Sequence, residues 1–207
     1  MIKVLVTQRV DVIPAYDEKR DAIDQRWTDF LMSIDILPIF SSNNQLYLEA
    51  ILSNEDINGV ILTGGGSLTK YGGESSERDQ VERYILDWSI KSNIPVLGIC
   101  RGMQVIQDYF GLPLNRVDNH VGVRHKLNVN KGLRLSPLIE PFIDVNSFHN
   151  LGTKYSNKTL LTVASSKDDV VMAVEHFDKN IYGVMWHCER DDPFTIEDKN
   201  LVSHLFC

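Results

Sequence analysis

A strand-then-helix rhythm runs through the first half of the chain and leaves few architectures open. Ile2 to Thr7, Ile36 to Phe40, Gly59 to Thr63 and Ile94 to Ile99 are short, continuously apolar runs, the pattern of strands buried on both faces. Behind each comes a segment with helical spacing or composition: Ile23, Trp27, Phe30, Leu31 and Ile34; Gln45 to Ser53; Val81, Tyr84, Ile85 and Trp88; and Met103, Ile106 and Phe110 within Arg101 to Phe110. Repeated units of this kind bury their strands in a mostly parallel central sheet with helices on both faces. The chain is therefore expected to be α/β, with its functional loops at the carboxyl ends of the strands.

After Pro113 the pattern changes. Lys126 to Asn130, Leu160 to Ala164, Val170 to Glu175 and Ile181 to Trp186 read as successive strands without long helices between them, a small antiparallel extension. Ile196 to Phe206 reads as a closing helix. No repeat, low-complexity tract or linker divides the 207 residues, and 43% hydrophobic content suits one sizeable core, so residues 1–207 are expected to form a single domain.

A net charge of -7 gives no electrostatic reason for nucleic acid or an anionic membrane surface as a general partner. No run approaches the roughly 20 apolar residues that span a bilayer, and the N-terminus lacks the pattern of a signal peptide. The cysteines, Cys100, Cys188 and Cys207, are odd in number and far apart, which speaks against a disulfide framework or a CxxC zinc site and suits a reducing cytoplasm.

Chemistry concentrates at Gly98-Ile-Cys-Arg-Gly102, which joins an apolar strand to a helix. A lone cysteine is commonly a small buried hydrophobe, yet a plain core position does not need a glycine on each side of such a junction. The pattern is that of a nucleophile elbow, a sharp turn that presents the sulfur at a helix N-terminus, where the dipole and free N–H groups favour a thiolate and a developing oxyanion. Such a thiol needs a base. Of the histidines at 120, 125, 149, 176, 187 and 204, His187 follows directly on an apolar strand, and Glu189 lies near enough to orient its ring. A His-x-Glu pair alone is more commonly a solvated strand end, and Cys100 is what raises its significance. Cys188, between them, is expected in an exposed loop without an elbow, the weaker nucleophile of the two.

Gly64-Gly-Gly66, Gly98-Ile-Cys-Arg-Gly-Met-Gln104 and Tyr182-Gly-Val-Met-Trp-His-Cys-Glu189 together resemble the class I glutamine amidotransferases. Within that superfamily, Tyr71-Gly-Gly-Glu74, Arg78-Asp79 with Glu82, and Val145-Asn-Ser-Phe-His149 are most similar to the gamma-glutamyl-gamma-aminobutyrate hydrolase (peptidase C26) branch. The resemblance implies a flavodoxin-like sheet, a Cys100–His187–Glu189 triad, and freestanding cleavage of a small-molecule gamma-glutamyl amide with no metal or organic cofactor. It further implies an oxyanion hole from backbone N–H groups of Gly65, Gly66 and Arg101, and a glutamyl site formed by Gln104, Ser147, Phe148 and His149. Read without the resemblance, Gly64 to Gly66 is a plain turn or a phosphate loop, though not a Walker loop, since no Gly-Lys-Ser/Thr follows. His149 is equally a loop histidine packed beside Phe148. Two departures stand out: Cys188 occupies a position where the family usually has proline, and the chain is shorter than most of the branch.

Arg116, His120, Arg124 and His125 form a basic group in the sequence, either a solvated loop or a site for an anionic leaving group such as a phosphate. With it comes a narrower resemblance, to the compact gamma-glutamyl-CDP-amidate hydrolases of capsule phosphoramidate biosynthesis, which implies release of glutamate and a CDP-amidate. The alternatives are another gamma-glutamyl amine as substrate, a glutaminase subunit that hands ammonia to a synthase, and a catalytically inactive binding module. A homo-oligomer is compatible with each.

Overall fold

The computed structural model describes residues 1–206, so Cys207 lies outside the described residues. The chain opens with β1 (Ile2–Thr7), a hairpin of β2 (Arg9–Ile13) and β3 (Glu18–Ala22), α1 (Arg26–Met32), β4 (Ile36–Ser41), α2 (Gln45–Asn54) and β5 (Gly59–Leu62). It continues through α3 (Ser76–Ser92), β6 (Val96–Ile99), α4 (Arg101–Tyr109), β7 (Asn115–Arg116), β8 (Val121–His125), β9 (Asn128–Val129) and α5 (Ser136–Ile139). It closes with β10 (Val145–Phe148), β11 (Leu151–Gly152), β12 (Leu160–Ser165), β13 (Val171–His176), β14 (Ile181–Val184) and α6 (Ile196–Phe206).

Eight strands form one sheet in the order β4-β1-β5-β6-β14-β13-β12-β9. The pairs from β4 to β14 are parallel, and those from β14 to β9 antiparallel. Strands β5, β6 and β14 are buried along their whole length, as continuous apolar runs require. Helices α2, α3 and α4 pack side by side in one layer, and α5 packs with α6 in another. Helix α1 joins that second layer region through an edge-to-face contact of Phe30 with Phe194, centroids 5.3 Å apart.

Three expectations need correction. Ile181 to Trp186 belongs to the parallel part, because β14 pairs with β6 from Val96–Ile181 to Ile99–Val184 and only then turns the sheet antiparallel. The strand expected at Lys126 to Asn130 shrinks to the two residues of β9. Between β1 and α1 stands the β2–β3 hairpin, which leaves Ile23 and Ile34 outside the helix. None of its residues is buried, and although Val10 and Val12 alternate with Arg9 and Asp11 in β2, Glu18 to Asp21 of β3 are all charged and give no apolar signal for a partner strand.

Glycines set the spacing at the centre of the sheet. A Cβ on Gly98 would stand 2.6 Å from the backbone of Gly102 and Met103, and one on Gly102 would stand 2.0 Å from the Leu62 carbonyl oxygen. Strand β6 thus passes directly under the first turn of α4, which in turn lies on the end of β5. Gly183 opposes Gly98 in the register and leaves room for Met103, whose Cγ would be 2.8 Å from an added Cβ. A Gly102→Ala substitution meets backbone rather than a movable side chain, so it is expected to cost about 3 kcal/mol or more, read as a shift of the urea midpoint.

Candidate active site

Cys100 occupies the junction of β6 and α4 with φ 51° and ψ -103°, a left-handed conformation that non-glycine residues adopt at a cost of about 1–3 kcal/mol. The strain is held from both sides: the Cys100 N–H donates to the Val184 carbonyl at 2.8 Å, and the Cys100 carbonyl accepts from the Gln104 N–H at 3.1 Å. The cysteine is therefore tied to the end of the strand from which the chain runs on to His187.

His187 is fixed through its backbone. The Asn146 carboxamide accepts from the His187 N–H and donates to its carbonyl, both at 2.9 Å. The preceding residue is anchored too, as Trp186 Nε1 donates to Asp198 of α6 at 2.9 Å. The buried imidazole sets Nδ1 2.7 Å from Glu189 Oε1, which assigns that nitrogen the proton and leaves Nε2 for the Cys100 side. Burial alone would push the imidazole down, but hydrogen bonds to Cys100 and Glu189 and their negative charge outweigh it and hold His187 up at about 9. Gly64 lies against the ring, where a Cβ would stand 2.6 Å from His187 Cε1.

Cys188 is not in an exposed loop, contrary to the expectation from sequence. Its side chain is fully buried, and burial, with the carboxylates of Asp198 and Glu189 nearby, pushes the thiol well above its ordinary value. That makes it a poor nucleophile.

Gly65 and Gly66 line the same cleft as Cys100. Gly65 and Gly66 have φ of 89° and 75°, and no backbone carbonyl takes up their N–H groups among the described residues. Their turn is held from below by Arg78, whose Nη1 donates to the Gly65 carbonyl at 2.7 Å and whose Nη2 donates to the carbonyls of Thr63 at 2.8 Å and Gly64 at 3.1 Å. Arg101 begins α4, so its N–H is one of the donors a helix leaves free. Its side chain is buried against Asp79 and Glu82, and Glu82 also accepts from Arg78 Nε at 2.9 Å. Burial would raise the Glu82 carboxyl, yet the two guanidiniums hold it below its ordinary value.

A cleft brings together Gly65, Gly66, Cys100, Gln104, Phe148, His149 and His187, joined by Arg190. Gln104 Nε2 and His149 Nδ1 both point to the Leu151 carbonyl, at 2.9 Å each. Burial pushes His149 down to about 4, so it stays neutral. Ser147 does not line the cleft: its hydroxyl is fully buried and donates to the His120 carbonyl at 2.8 Å. The basic group of Arg116, His120, Arg124 and His125 is divided, with only the two histidines in contact. His120 is buried between His149 Nε2 at 3.1 Å and Asp168 at 3.2 Å and stacks on His125, centroids 4.2 Å apart. Arg124 is held by Asp144 and Asp191, and Arg116 lies in the exposed strand β7. Asn146, Gly64 and Arg190 do not stand out individually in the sequence. Asn146 sits inside the Val145–His149 motif, and Gly64 opens the glycine run, so two of the three carry a signal there.

This fold and site define a class. The family model for peptidase C26 matches residues 4–189, and the chain belongs to that family, as a gamma-glutamyl amide hydrolase. Its similarity to individual proteins is narrower: it is 32% identical over 194 residues, 90% of each chain, to the gamma-glutamyl-CDP-amidate hydrolase of Campylobacter jejuni subsp. jejuni serotype O:2. It is also 30% identical over 146 residues to one of the subunits of the glutamine-hydrolysing GMP synthase of Methanococcus maripaludis, covering 70% of this chain and 71% of that one. Among solved structures, a glutamine amidotransferase from Thermotoga maritima shares the fold with a TM-score of 0.71 at 17% identity, over 99% of this chain and 96% of that one.

Two measurements follow from this geometry. Glu82→Gln leaves the buried Arg78 guanidinium without a carboxylate and Arg101 with Asp79 alone, and is expected to cost about 3–5 kcal/mol in denaturant unfolding. His187, raised from 6.5 to about 9, contributes stability that is complete below pH 6.5 and lost as the pH rises through about 9. Its ring resonances should titrate near 9, and the midpoint should fall in Cys100→Ala.

Proposed function

We propose that Cys100, His187 and Glu189 are the catalytic triad of a freestanding hydrolase that cleaves a gamma-glutamyl amide in one domain spanning residues 1–207. The observation that carries the reading is the hydrogen bond of His187 Nδ1 to Glu189, which turns the other ring nitrogen to an elbow cysteine. Cys100 sulfur, its proton taken by His187, attacks the gamma carbonyl carbon. The oxyanion that forms is met by N–H groups of Gly65 or Gly66 and of Arg101. His187 then protonates the departing nitrogen as the C–N bond breaks, leaving a glutamyl thioester. The same imidazole takes a proton from water, which attacks the thioester and releases glutamate and the thiol. Thiolate, base and backbone donors suffice for every step. Gln104, Phe148, His149 and the backbone at Ser147 hold the glutamyl amino-acid end.

The finer reading is that the leaving group is a CDP-amidate, so that the carbon–nitrogen bond breaks and the nitrogen–phosphorus bond stays. It is supported by the likeness to the Campylobacter enzyme over 90% of both chains. A reduced Cys100 suits the cytoplasm. The likeness to the GMP synthase component favours a second reading, a glutaminase that serves a synthase.

Hydrolysis should be measured across glutamine, gamma-glutamyl-aminobutyrate and gamma-glutamyl-CDP-amidate. The purified chain is expected to prefer the last without any partner, and Cys100→Ala to lose at least about 10^3-fold in kcat along with the trapped glutamyl thioester. Cleavage that persists in Cys100→Ala sinks the triad, and preference for glutamine that rises with an added synthase supports the second reading instead.

A further inference from the structure

Arg190 is the residue after Glu189, and the mechanism above makes no use of it. Its Nε is buried yet has no hydrogen-bond partner. The carboxylate beside it, Glu189 Oε1, is 3.7 Å away, beyond hydrogen-bond reach, and already accepts from His187. The guanidinium lies over the exposed Phe148 ring, 4.6 Å from its centroid, and that ring meets His187 edge-on with centroids 6.0 Å apart.

Phe148 and Arg190 are also shared walls. Both line the Cys100 cleft and a neighbouring cleft that Arg26, Arg124, Asn146 and Asp191 complete. Three guanidiniums face that second cleft against one carboxylate. Two are occupied, Arg26 by Asp24 at 2.6 Å and Arg124 by Asp144 and Asp191. Arg190 keeps a buried donor unused at the doorway between the clefts. A guanidinium fork held in this way matches a phosphoryl or carboxylate group geometrically.

We propose that Arg190 receives an anionic phosphoryl group carried on the scissile nitrogen, and that the cleft lined by Arg26 and Arg124 houses the rest of the leaving half. This rests on the hydrolase reading and assigns the residue that selects its substrate class. The glutamyl alpha-carboxylate is the other source of an anion, but it belongs to the half of the substrate that stays on Cys100.

The test compares wild type, Arg190→Gln and Arg190→Lys on gamma-glutamyl-CDP-amidate and on gamma-glutamyl-p-nitroanilide, whose leaving group is neutral. Arg190→Gln is expected to lower the ratio of kcat/KM for the phosphoryl substrate over the anilide by about 10- to 100-fold, the worth of a charged hydrogen bond, chiefly through KM. Arg190→Lys is expected to restore part of it. Equal losses on both substrates would show that Arg190 holds the alpha-carboxylate, and a fall in kcat alone would show that it acts through Glu189; either result overturns the proposal. Calorimetric binding of inorganic pyrophosphate separates the two readings, since it needs no hydrolysis. Binding by wild type that weakens in Arg190→Gln supports the anion site even if no gamma-glutamyl amide is cleaved, and binding unchanged by the substitution overturns it.

Discussion

Glu82 is a carboxylate without access to water, and much of the sheet's carboxyl edge is arranged around it. It accepts from Arg78, from Arg101 and from the Thr7 hydroxyl at 3.0 Å. Those three residues belong to α3, α4 and the last position of β1. Arg78 carries the tie further, to the carbonyls of Thr63, Gly64 and Gly65 beyond β5. One buried charge therefore sets the positions of three strand ends or helix starts and of the glycine turn. Buried ion pairs of this kind contribute little net stability, because desolvation offsets the attraction, but breaking one is costly. What the network supplies is a single geometry for the loops that face Cys100.

The glycines and the ion network work on the same junction. Gly98 and Gly102 let backbones approach to contact distance, Gly183 makes room for the Met103 side chain, and the charges then hold the junction there. Close packing with fixed polar partners preorganises donors before any substrate arrives, which is where electrostatic stabilisation of an oxyanion gains its worth.

Much of this is legible in the sequence, for physical reasons. The buried strands announce themselves as unbroken apolar runs, and the elbow announces itself because two glycines flank a cysteine at a strand–helix boundary. His187 and Glu189 follow from their position after β14. The β2–β3 hairpin is not legible, since the short alternation of β2 is followed by a β3 whose residues Glu18 to Asp21 are charged on both faces. Cys188 misleads because its neighbours in sequence look like a loop, whereas its side chain is covered by α6 through Asp198. The basic group of residues 116 to 125 is divided in the folded chain: His120 and His125 stack beside Asp168, while Arg124 is held apart by Asp144 and Asp191. Arg190 has no signal in the sequence, as its meaning depends on two clefts that meet only in the folded chain.

Strand β14 lies between β6 and the antiparallel extension, and its register with β6 joins residues about 85 positions apart. Pairings over such separations carry a loop-closure cost that local helices do not. Until β14 takes its place, β6 has an open edge, and the chain that ends in His187 has nothing to align it with the elbow. Cys100 and His187 therefore meet only on completion of the sheet's centre.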